Sequence, residues 1–109
     1  MSSRFAETLD RLQATIAARK GADPGSSYTA KLLHEGPERA AKKFGEEAVE
    51  TVIAAIKGNP EELASESADV IYHWLVLLAG AGVSLDQVAA KLEAREGTSG
   101  LAEKAGRST

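Results

Sequence analysis

A chain of 109 residues, 43% hydrophobic and 27% charged, has the make-up of one ordinary globular domain with a single core. Its net charge of -3 argues against a general nucleic-acid binder, and the lack of Cys excludes disulfides and thiolate metal sites. No apolar run approaches the roughly 20 residues of a membrane span and the N-terminus has no signal-peptide core, so the expectation is a cytoplasmic protein with no membrane partner.

In chain order, Ser2 and Ser3 can cap a first helix whose Phe5, Leu9, Leu12 and Ile16 form a narrow packing stripe. Arg19-Lys20-Gly21 ends it with cations in the last turn and a Gly stop. Ala22 to Ser27 reads as a loop, and Ser27-Tyr28-Thr29 opens a short helical segment that carries Lys31 and His34 and stops at Gly36-Pro37. Pro37 begins a long helix, broken at Gly58-Asn59-Pro60 by a Gly stop, an Asn cap and a Pro in the next first turn. The following helix ends at Gly80 and Gly82, and Ser84 with Gln87 forms a capping box for a last helix through Val88, Leu92 and Arg95. The tail from Gly97 has no sustained apolar period.

The two helices on either side of Asn59 carry the chemistry. A connection this short makes them antiparallel neighbours, and with equal rise per residue Glu50 comes level with the Glu66 to Asp69 turn and Glu47 with the Asp69 to His73 turn. At about 100° per residue, Arg39, Lys42, Lys43, Glu46, Glu47 and Glu50 share one sector of the first helix, while Glu62, Glu66, Asp69 and His73 share one sector of the second. The complementary sectors hold Ala41, Phe44, Ala48, Val49, Val52, Ile53 and Ile56 on the first and Leu63, Val70, Ile71, Trp74, Leu75, Leu77 and Leu78 on the second. Each helix is therefore amphipathic, with an acidic stripe beside an expected core face.

A solvated surface would normally interleave Lys among such carboxylates. Here Glu46 with Glu50, Glu62 with Glu66, and Glu66 with Asp69 are like-charge neighbours, each pair costing roughly 0.2–0.5 kcal/mol unless a cation offsets it. Hard oxygen donors without Cys suit Mg²⁺, with Mn²⁺ as a substitute. Arg39, Lys42 and Lys43, one to two turns before Glu46, are either ordinary Lys–Glu pairs or the cations that neutralise phosphates the metal does not reach. His73 is expected to hydrogen-bond near the ligands rather than to ligate. The fold expected is all-α, four main helices with one short helical segment in a single domain spanning 1–109. Apolar sectors this wide call for a homodimer or a higher homo-oligomer.

The pattern E-E-x-x-E followed by E-x-x-D, as Glu46, Glu47, Glu50, Glu66 and Asp69, resembles the all-α nucleoside-triphosphate pyrophosphohydrolases of the MazG-like superfamily. Within that superfamily, SYTAKLL at Ser27 to Leu33, the segment from Gly36 to Ala55, the segment from Glu66 to Leu78, and EGTSGLAEKAGR from Glu96 to Arg107 are similar to the phosphoribosyl-ATP pyrophosphatases of histidine biosynthesis. The resemblance implies a MazG-like helical bundle that hydrolyses phosphoribosyl-ATP to phosphoribosyl-AMP and pyrophosphate. It further implies Mg²⁺ held by Glu47, Glu50, Glu66 and Asp69, water activated by Glu46 or Glu47, and phosphates met by Arg39, Lys42 and Lys43. Lys31, the Ser27 to Thr29 segment, Lys104 and Arg107 are the candidates implied for the phosphoribosyl end of the substrate, with Thr98 and Ser99 in a tail that either frays or folds over it. Often this domain is fused to a zinc-dependent cyclohydrolase, which would need thiolate ligands, so the free-standing form is expected. A house-cleaning nucleoside-triphosphate pyrophosphohydrolase would use the same carboxylates, and a non-enzymatic helical interaction module would share the amphipathic pattern without binding Mg²⁺ and nucleotide.

Overall fold

A computed structural model of the chain describes residues 3–97 and 106. Five helices follow one another: α1 (Arg4–Arg19), α2 (Tyr28–Glu35), α3 (Pro37–Lys57), α4 (Pro60–Ala81) and α5 (Leu85–Ala94), with no strand among the described residues. Thr98, Ser99, Lys104 and Arg107 lie outside the described residues.

Local chemistry accounts for most of the helix ends. The side chains of Ser3, Ser27 and Asn59 accept from the backbone N–H groups of Ala6, Ala30 and Glu62, which satisfies donors the first helical turn leaves open. Ser84 and Gln87 complete both arms of a capping box before α5, at 2.8 and 3.1 Å. Gly58 and Gly82 close α3 and α4 at φ of 75° and 73°, a left-handed conformation that a side chain would strain. Helix α4 runs through Gly80, expected as a stop, because that position faces α2: a Cβ there would meet Leu33 Cδ2 at 3.8 Å.

The core is centred on Ile16, Leu32, Ala40, Leu75 and Val76, so α1 to α4 each contribute. Leu9, Leu12, Leu33, Ile71, Trp74, Leu77, Leu78 and Leu85 pack around it. Leu32 is almost wholly enclosed, so Leu32→Ala is expected to lower the unfolding free energy by about 2–5 kcal/mol in urea titrations. An unchanged midpoint would mean that α2 is not part of the cooperative unit.

One expectation needs correction. The apolar sector of α3 was expected to face the core, yet Val49, Val52, Ile53 and Ile56 are 47–80% exposed and Ala41 is also exposed. Of the expected sector only Phe44 and Ala48 are half-buried, and the other buried and half-buried positions of α3 are Ala40, Lys43, Glu47, Thr51 and Ala54. With the small residues Ala40, Thr51 and Ala54 turned inward, the pair meets along the edge of the apolar sector and leaves its centre outward. On α4 the expectation holds, with Leu75 buried and Val70, Ile71, Trp74, Leu77 and Leu78 half-buried. Among the described residues no single helix is long and apolar enough to cross a membrane.

Candidate active site

Only Gly58 and Asn59 connect α3 to α4, and the Thr51 hydroxyl bridges the two helices further along. Thr51 Oγ1 lies 2.8 Å from the carbonyl oxygen of Glu47 and 3.2 Å from that of Glu66, where it donates. The first bond is the usual i−4 back-bond of a helical Thr; the second crosses to α4 and places Thr51 level with Glu66, as a fold-back about Asn59 requires.

That register brings Glu47 from α3 together with Glu66 and Asp69 from α4, so that one carboxylate oxygen of each lies within 4.8 Å of the others. Glu47 and Glu66 are half-buried and Asp69 is exposed, which makes the cluster a notch with one open side. Burial holds both the Glu47 and Glu66 carboxyls above the usual carboxylate range, and the neighbouring Glu50 carboxylate raises each further, with Asp69 adding to the effect. Glu66 Oε2 is buried and has no hydrogen-bond partner among the described residues. An unpaired buried carboxylate oxygen among like charges is costly unless a cation offsets it.

No Lys or Arg among the described residues is ion-paired with Glu47, Glu50, Glu66 or Asp69. Lys43 Nζ is 3.6 Å from Glu46, Arg39 Nε is 3.8 Å from Glu35, and Lys57 Nζ is 3.5 Å from Glu62. The structure thus separates the acidic residues singled out in the sequence. Glu47, Glu50, Glu66 and Asp69 converge, whereas Glu46 turns outward to Lys43. Lys31 and Lys42 are exposed and form no ion pair among the described residues.

His73 is the one buried polar residue among the described residues. Its Nδ1 lies 2.8 Å from the carbonyl oxygen of Asp69 and its Nε2 3.3 Å from the Tyr28 hydroxyl. A carbonyl only accepts, so Nδ1 carries the proton and Nε2 accepts from Tyr28, leaving the ring no free lone pair for a metal. Thr29 Oγ1 and the Tyr72 hydroxyl form a second hydrogen bond between α2 and α4. Burial raises the Tyr72 phenol above its usual value, so it stays protonated. Tyr28 and Tyr72 stack, with centroids 6.4 Å apart and planes 22° from parallel.

Thr51 and Tyr72 did not stand out in the sequence as parts of this region, and Tyr28 did so only as a member of the Ser27 to Thr29 segment, without its pairing to Tyr72. Their signals are faint: a Thr inside a helix, and two tyrosines far apart in the chain whose positions, beside Thr29 and His73, acquire meaning only when α2 is laid against α4.

The sequence profile described as phosphoribosyl-ATP pyrophosphohydrolase matches residues 9–96. The chain is 67% identical to a phosphoribosyl-ATP pyrophosphatase of Caulobacter vibrioides, over 98% of this chain and 99% of that protein. It is 70% identical to one of Caulobacter sp. strain K31, over 96% and 97%, and 67% identical to one of Cereibacter sphaeroides, over 91% and 96%. With a match running from within α1 through the end of α5, and with relatives this similar along nearly their whole length, the chain belongs to the phosphoribosyl-ATP pyrophosphohydrolase family.

Proposed function

We infer that Glu47, Glu50, Glu66 and Asp69 form the active site for the reaction that membership of this family entails, hydrolysis of 1-(5-phosphoribosyl)-ATP to 1-(5-phosphoribosyl)-AMP and pyrophosphate, the second step of histidine biosynthesis. The observation that carries the assignment is the unpartnered Glu66 oxygen among converging carboxylates that no Lys or Arg among the described residues ion-pairs. An all-oxygen donor set of this kind fits Mg²⁺, with Mn²⁺ as a substitute, held by Glu47, Glu66 and Asp69 with Glu50 alongside. Bound there, the ion supplies neutralising charge and Lewis acidity to the triphosphate.

The chain's own groups do the rest. Hydrolysis adds water at the α–β bridge, breaks one P–O bond and releases pyrophosphate, and a carboxylate takes the proton from the attacking water. Of the two candidates, Glu47 is half-buried in the cluster with a raised proton affinity, while Glu46 is tied to Lys43 at the surface, so Glu47 is the better base. Lys42 is free to meet the departing pyrophosphate; Lys43 and Arg39 do so only by releasing Glu46 and Glu35. Lys31, Lys104 and Arg107 remain the candidates for the phosphoribosyl phosphate.

A triphosphate does not cross membranes unaided, which supports work in the cytoplasm. The outward row Val49, Val52, Ile53 and Ile56 supports association of α3 with a second copy of the chain, as a homodimer or within a larger homo-oligomer. The test of function is pyrophosphate release by the purified protein from phosphoribosyl-ATP and, separately, from ATP. Turnover of the former is expected to vanish in EDTA and to return with excess Mg²⁺. Full activity in chelator would overturn the site, and equal rates on both substrates would overturn the substrate.

A further inference from the structure

The geometry points to Tyr28 as the aromatic wall against which the substrate's purine ring lies, and to the electron-rich face of that ring as a means of telling N1-substituted adenine from plain adenine. This deepens the functional reading above and rests on it.

Tyr28 is a large aromatic residue left half-exposed at the first position of α2, away from the apolar row of α3. It is nevertheless held firmly. Its hydroxyl bonds His73 Nε2 at 3.3 Å, its ring stacks on Tyr72, and it meets the His73 ring edge-on with centroids 6.1 Å apart. Thr29 ties the next residue to Tyr72, so both anchors run from the start of α2 to the same turn of α4. That turn follows Asp69 directly, and His73 bonds the Asp69 carbonyl. A fixed, half-exposed aromatic ring is therefore tied through its hydroxyl to His73, the residue one helical turn past Asp69 of the carboxylate notch. Lys31, three residues further along α2 on a neighbouring part of its surface, is exposed.

The substrate's chemistry gives such a ring something to recognise. Attaching a carbon to N1 of adenine raises the basicity of the amidine formed by N1, C6 and N6, so the purine of phosphoribosyl-ATP carries positive charge at neutral pH, whereas that of ATP is neutral. The face of a Tyr attracts a cation through its quadrupole and stacks on any planar base. Stacking alone would serve both nucleotides; the charge term favours the N1-substituted one. On this account the carboxylate notch handles the triphosphate, and discrimination at the base comes from Tyr28 backed by Tyr72.

The probe is 1-methyl-ATP, which has the charged ring and the triphosphate but no second ribose phosphate. The wild-type protein with Mg²⁺ is expected to show a KM for 1-methyl-ATP about three- to thirty-fold below that for ATP, with similar kcat. Tyr28→Phe is expected to keep the preference, because the π face remains, and Tyr28→Leu to abolish it while leaving inhibition by inorganic pyrophosphate unchanged. No preference in the wild type would overturn the proposal without reference to any variant. So would a Leu variant that keeps the preference, or a Phe variant that loses it as fully as Leu, since the hydroxyl bond to His73 would then be what matters. Failure of the wild type to hydrolyse phosphoribosyl-ATP would instead count against the functional reading, so the two are separable.

Discussion

Glu66→Gln is expected to lower turnover by at least about 100-fold, the scale on which a group that stabilises charge in a phosphoryl-transfer site usually matters, and to raise the melting temperature of the metal-free protein. Ordinarily a mutation that damages a site this badly is suspected of damaging the fold. Here the two effects should have opposite signs, because the Glu66 carboxylate is held among Glu47, Glu50 and Asp69 with one oxygen buried and unpaired. Burial and the neighbouring carboxylates raise its folded-state pKa above that of the unfolded chain, so the folded protein binds the extra proton. Such a group supports the fold below the unfolded pKa, and that support is lost as pH rises through the folded value. Gln keeps the shape and removes the charge. The thermal gain should therefore be present at pH 7 without metal and shrink toward pH 4, where the wild-type carboxyl is itself protonated. Saturating Mg²⁺ should reverse the order, since the wild type gains binding energy that the variant has lost. A variant less stable than wild type at pH 7 in EDTA would show that Glu66 supports the fold rather than a cation.

Local signals carried the helices well. Ser3, Ser27, Asn59 and Ser84 are caps that act on their own next turn, and a two-residue link at Gly58-Asn59 leaves the following helix little choice but to fold back. For the same reason the convergence of Glu47 with Glu66 and Asp69 was legible before any coordinates: rise per residue and the position of the turn determine which residues are level. Rotation of α3 was not determined in that way. A helix with apolar residues over half its circumference can be packed along several rows. The row turned inward includes the small residues Ala40, Thr51 and Ala54, which a hydrophobic pattern ranks low. Glu46 lies outside the notch, exposed and paired with Lys43 one turn earlier on the same helix. The Tyr28–His73 and Thr29–Tyr72 hydrogen bonds were out of reach for a further reason, since they join segments more than 40 residues apart whose meeting depends on how α2 settles on α4.

The rotation of α3 also sets the second large effect. Ile53→Glu is expected to convert an oligomer into a folded monomer. In an isolated chain the substitution should be nearly harmless, because Ile53 is about half exposed and lies outside the core around Leu32, Leu75 and Val76. In an assembly whose contact is the Val49, Val52, Ile53 and Ile56 row it puts a charge at the centre of an apolar interface, where central residues typically contribute 2 kcal/mol or more, at least about thirty-fold in the dissociation constant. Light scattering on a sizing column should give a multiple of the 11.4 kDa chain mass for the wild type and a single chain mass for the variant. Helical circular dichroism should be retained in both. Mass action adds a second readout: the wild-type melting temperature should climb with protein concentration, and that of the variant should not. A wild type that stays monomeric at every concentration, or an Ile53→Glu variant that assembles as the wild type does, would mean that the α3 row is not where two copies meet.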